Sequence, residues 1–105
     1  MGACRSMAPV SAERVQFRIH GEHPPRAVEF DPAWRAVYLR LRDGDVVRSE
    51  ELAEGVVLDR GAAGEILGVE IVGLGVARCE AVLRDLRSAY LEQAPELASV
   101  EVVAA

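Results

Sequence analysis

The sequence predicts an α+β domain: an antiparallel β-meander of five or six strands with one C-terminal helix packed on the sheet. Three observations lead there. Residues 28–72 form a close series of short apolar segments, Asp-Gly and Gly-rich turns punctuate that series, and residues 78–93 then switch from a spacing of two to one of three and four. A chain of 105 residues that is 50% hydrophobic and 28% charged has the balance of one small globular domain. It can bury roughly 65% of its unfolded surface, enough for a thin core.

The first eleven residues contain small side chains, Pro9 and no periodicity, so residues 1–11 read as a flexible leader and 12–105 as the folded unit. From Arg14 to His20, Val15, Phe17 and Ile19 alternate with Arg14, Gln16 and Arg18, the period of a half-buried strand. Pro24 and Pro25 break that pattern. A strand at 27–30 follows and ends at Asp31-Pro32, where the aspartate can close an Asx turn. In the next, at 37–41, Val37, Leu39 and Leu41 share one face and Tyr38 and Arg40 the other. Asp43-Gly44 is a strong two-residue hairpin signal and predicts direct reversal into a strand at 46–52. Glu54-Gly55 turns the chain into 56–59, and residues 61–64 turn it into 66–72, with Leu67, Val69 and Ile71 on one face.

The 56–58 segment, Val56-Val57-Leu58, is apolar on both faces, which predicts a sheet covered on both sides. One cover is the amphipathic helix at 78–93, whose stripe contains Cys79, Val82, Leu83, Leu86, Ala89 and Tyr90. The other is expected to be the N-terminal strand curling round, or a second protomer. Pro95 ends the helix, and 100–103 is an edge strand or a partner-binding tail.

A net charge of −5, with Glu50, Glu51 and Glu54 in one stretch, repels a phosphate backbone and speaks against nucleic-acid binding. No apolar run reaches the roughly 20 residues of a membrane span, and no secretory signal is apparent. Cys4 and Cys79 do not suggest a disulfide framework. These features predict a cytoplasmic protein.

Four carboxylates, Asp31, Glu51, Asp59 and Glu70, are candidates for a cluster that shares a proton or holds a divalent cation, with Asp31, Glu51 and Glu70 the candidate catalytic groups. The competing and more ordinary reading has the aspartates shaping turns and the glutamates facing solvent or pairing with Arg40 or Arg48. His20, Glu22 and His23 are a zinc-type ligand set, but Pro24 and Pro25 exclude the helical metal-binding spacing and no third His or Cys lies nearby, so a surface loop is the more ordinary reading and no metal is expected. Residues 61–68 are glycine-rich, but they join two strands and the chain contains no lysine, so a phosphate-binding loop does not fit. No cofactor is expected. Trp34, Tyr38 and Val57 are the candidate interface residues, weighed against simple core packing for the aromatics.

Between Val28 and Val72 the order and spacing of the residues resemble the bacterial family known as domain of unknown function 2283. The matching pattern is Phe30-Asp31-Pro32, residues 36–41 (Ala-Val-Tyr-Leu-Arg-Leu), Glu51 four residues before Gly55, Val56-Val57-Leu58-Asp59, and residues 64–71 (Gly-Glu-Ile-Leu-Gly-Val-Glu-Ile). The resemblance implies a small β-rich bacterial domain without an assigned activity, substrate or cofactor, and an antitoxin-like role beside a small toxin protein. This chain departs from the family's pattern at Gly61, where relatives usually carry an acid. Taken together, the expectation is a non-enzymatic protein-interaction module that forms a homodimer. The alternatives are an antitoxin-like partner of a small protein and an enzyme or small-ligand binder built on the carboxylates.

Overall fold

The computed structural model describes residues 15–73 and 75–104; the leader expected at 1–11 lies outside them. The elements are β1 (Val15–Ile19), β2 (Ala27–Asp31), β3 (Ala36–Arg40), β4 (Arg48–Ala53), β5 (Val56–Arg60), β6 (Ile66–Val72), α1 (Val76–Tyr90), a 3₁₀ turn (Pro95–Ser99) and β7 (Val100–Ala104). Strands β2 to β6 form a five-stranded antiparallel sheet in the order β2-β3-β6-β5-β4, and β1 pairs with β7 in a separate two-stranded ribbon.

This order is an α+β arrangement with a meander-like sheet, and it corrects one connection. The Asp43-Gly44 pair does not close a hairpin, because β3 pairs with β6 and not with β4. Burial decides the difference. Val37 and Leu39 of β3 and Val69 and Ile71 of β6 are fully buried, whereas the first four residues of β4, Arg48 to Glu51, are exposed on both faces. A strand that is polar on both sides belongs at an edge. Residues 41–47 therefore cross the end of the sheet to carry the chain from β3 to β4.

One face of the sheet is filled. Val37, Leu39, Leu58, Val69 and Ile71 pack beneath Cys79, Leu83 and Leu86 of α1 and beneath Val100 and Val102 of β7. Val15 and Phe17 of β1 pack against the same core, and the Phe17 and Phe30 rings lie 5.9 Å apart. The N-terminal strand thus joins the helix side of the sheet and leaves the opposite face to itself. The cover is fastened by arginines: Arg78 donates to the carbonyls of Val72 and Glu54 (both 2.8 Å), and Arg87 to those of Leu97 and Val100. Pro95 opens the 3₁₀ turn after α1 has already ended at Tyr90.

A second correction concerns β6. Asp59 pairs with Gly68 but Arg60 pairs with Ile66, so β6 holds an extra residue there, a β-bulge that reverses the alternation. Ile66 joins Val69 and Ile71 in the core. Leu67 is also buried but lies outside that core cluster, and its side chain comes within 3.2 Å of where a Cβ on Gly44 would sit. The crossing loop covers Leu67.

Candidate functional site

The cross-strand register places one row of residues across all five strands on the face away from α1. Glu29 pairs with Tyr38, Tyr38 with Glu70, Glu70 with Val57, and Val57 with Glu51. Directly paired residues point to the same side of a sheet, so these five lie in line, a strand spacing of about 4.8 Å apart. The flanking row holds Arg40, Gly68, Asp59 and Ser49.

These two rows are tied together by side chains. The Tyr38 ring leans across β6 onto Gly68, where a Cβ would stand 2.0 Å from the phenol oxygen; only a residue without a side chain permits that approach. Its hydroxyl donates to Asp59 Oδ2 at 2.9 Å, and Ser49 Oγ donates to Asp59 Oδ1 at 2.6 Å. Arg40 places its guanidinium 5.3 Å from the Tyr38 ring centre and pairs with Glu29 at 3.1 Å. A continuous polar network thus runs Glu29, Arg40, Tyr38, Asp59, Ser49, from one edge strand to the other. Burial, with help from the Asp59 carboxylate that the phenol donates to, pushes the Tyr38 hydroxyl up to about 12.

The candidate catalytic carboxylates share this face without converging. Asp31 accepts a hydrogen bond from the Ala33 amide at 3.1 Å, the Asx turn read from the sequence. Glu70 and Glu51 are separated by β5, which places them two strand spacings, about 10 Å, apart. Among the described residues, no group of three His, Cys, Asp or Glu side chains could hold a metal ion. That holds equally for His20, Glu22 and His23, which are exposed in the segment before β2, with the His20 amide bonded to the Ser99 carbonyl at 2.9 Å.

Where the chain carries Gly61, the space that a side chain would take is filled by the Glu65 carboxylate, 2.6 Å from the position of a Cβ. Glu65 Oε1 accepts from the Ala63 amide at 2.9 Å. An acid four residues later thus fastens the loop.

Of the interface candidates, Trp34 is 73% exposed in the β2–β3 turn, Val57 is half-buried in the row between Glu70 and Glu51, and Tyr38 is half-buried in the network. The N-terminal strand is not the second cover of β5: Leu58 is in the core, and Val57, between Glu70 and Glu51 on the other face, is not among the apolar side chains of the described residues that pack against that core. A shallow cleft of about 490 Å³ lies over this face, with Val46 of the crossing loop on one side and Tyr38, Asp59 and Glu70 among its walls. Sequence reasoning missed Ser49, Gly68 and Glu29. The signal for Gly68 was a glycine inside a strand, which marks close approach by another group.

Residues 27–74 match the model of a family described as Protein of unknown function (DUF2283). The match covers β2 to β6, the whole five-stranded sheet, and leaves out β1, α1 and β7, which cover its apolar face. No curated protein and no solved structure matches the chain. No helix among the described residues is long and apolar enough to cross a membrane.

Proposed function

We propose that this protein is a non-enzymatic interaction module that docks another protein on the open face of its five-stranded sheet. The observation that carries the reading is the contrast between the two faces. One is filled by α1, β1 and β7; the other displays the braced row that includes Tyr38 and Val57, with Val72 38% exposed, and Trp34 stands 73% exposed in the turn at the sheet's end. Exposed aromatic and apolar groups on a rigid surface are what protein interfaces use. Reactions on a carboxylate cluster have less support, since Asp59 already accepts from two hydroxyls, Glu29 is paired with Arg40, and Asp31 holds its turn.

The charge of the row favours a partner of different sequence over the homodimer. A two-fold axis through Glu70 would place Glu70 against its own copy and Glu29 against Glu51, acid on acid at each of the charged positions. Like charges set together in an interface cost affinity. An antitoxin-like role is the same reading with a small toxin protein as the partner.

The test is affinity capture from the native host with the wild-type chain and with Trp34→Ala/Val57→Ser. One protein retained in stoichiometric amount by the wild type and lost with the folded double variant supports the module. The same set of proteins retained by both would contradict it.

A further inference from the structure

We infer that the occupant of the open face is a cationic amphipathic helix lying across the strands, a proposal that rests on the docking role above and specifies its partner. The row reads acid, aromatic, acid, apolar, acid: Glu29, Tyr38, Glu70, Val57, Glu51. Successive positions are about 4.8 Å apart because each belongs to the next strand. An α-helix advances about 5.4 Å per turn, so its turns keep approximate step with strands that it crosses at right angles. Carboxylates on alternate strands, about 10 Å apart, match basic side chains two turns apart, and the intervening turns bring apolar side chains onto Tyr38 and Val57.

The width of the sheet sets the helix length. Five strands span about 19 Å, which calls for about 13 residues, or between three and four turns. An extended segment laid in the same direction does not keep this step, since residues on one side of a strand recur at nearly 7 Å, roughly one and a half strand spacings. Electrostatics selects the sign. Arg40 is the basic group beside the row and is already paired with Glu29, while Glu70 and Glu51 have no ion pair within the described residues. The network beneath Tyr38 holds the surface in shape before binding, which lowers the ordering cost on the protein's side.

The experiment uses the full chain, isotopically labelled, titrated with two synthetic peptides of the same composition and charge. One carries lysines two helical turns apart with leucines on the turns between; the other has the same residues scrambled so that no face is ordered. The expected result is that the ordered peptide shifts the amide resonances of Tyr38, Glu70 and Val57 and binds more tightly than the scrambled one by on the order of tenfold. Its affinity also falls as salt rises, and it falls by about fivefold in Glu51→Gln, a substitution on an exposed edge strand that leaves folding intact. Equal binding of the two peptides, shifts confined to the α1 side, or no shift at all would overturn the helix assignment. The docking role is read separately, by the capture experiment: a host protein lost with Trp34→Ala/Val57→Ser and bound through a surface other than a basic helix keeps the module and removes its proposed occupant.

Discussion

Gly68 and Tyr38 are a matched pair, and each is explained by the other. A Cβ on Gly68 would fall 2.0 Å from the phenol oxygen, so Gly68→Ala must expel the ring from its place over β6. The expected cost is about 1–3 kcal/mol in urea unfolding. In a Tyr38→Ala background the same substitution costs far less, because nothing remains to be displaced. Tyr38→Phe keeps the ring and removes only the bond to Asp59, with an expected loss of about 0.5–1.5 kcal/mol. The phenol also makes stability depend on pH. Its folded value, about 12, lies above the ordinary value of 10.0, so the folded state holds the proton after the unfolded state has lost it. The contribution of Tyr38 is therefore fully present below pH 10 and declines as pH rises toward 12. Subtracting the stability profile of Tyr38→Phe from that of the wild type isolates this decline; parallel profiles across the range would contradict it.

At the scale of elements, α1 closes the apolar face of the sheet, and the opposite face is the one to which the proposed docking role is assigned. Leu83 is fully buried between α1 and the core. Leu83→Ala is expected to cost about 2–5 kcal/mol. Val57→Ser, half-buried on the open face of an interior strand, is expected to cost about 1 kcal/mol or less. Thermal denaturation of the two variants reads this asymmetry directly, and comparable losses would mean that Val57 is core. The same asymmetry explains what the sequence could and could not reveal. Strand positions and the helix were legible because their apolar periods are local. The pairing of β3 was not, since Asp43-Gly44 carries turn chemistry but says nothing about which strands can bear burial. The polar run Arg48-Ser49-Glu50-Glu51 did hold that information: a strand wet on both faces cannot lie inside a sheet. The bulge at Leu67 left no such trace, because it arises from the register with β5 and from the loop that folds over Leu67.

At the scale of the whole molecule, the segment that matches the family model and the rest of the chain divide the work. Residues 27–74 supply the sheet with both its faces, and β1, α1 and β7 supply the lid for one of them. Asp31, Glu51, Asp59 and Glu70 were legible as a candidate set, and the register places them on one face. Their separation was not legible, because it depends on strand order: β5 between β4 and β6 keeps Glu51 from Glu70. The same strand order sets Glu51 and Glu70, together with Glu29, into a periodic row on alternate strands. Docking on that row is tested most directly by placing a photo-crosslinking amino acid at position 57 in the full chain inside the native host, with an equivalent label at Arg84 on the exposed side of α1. The expected result is one covalent product with a second, different protein from position 57 and none from position 84. A product from position 84 alone, or a cross-link from position 57 to another copy of this chain, would contradict it.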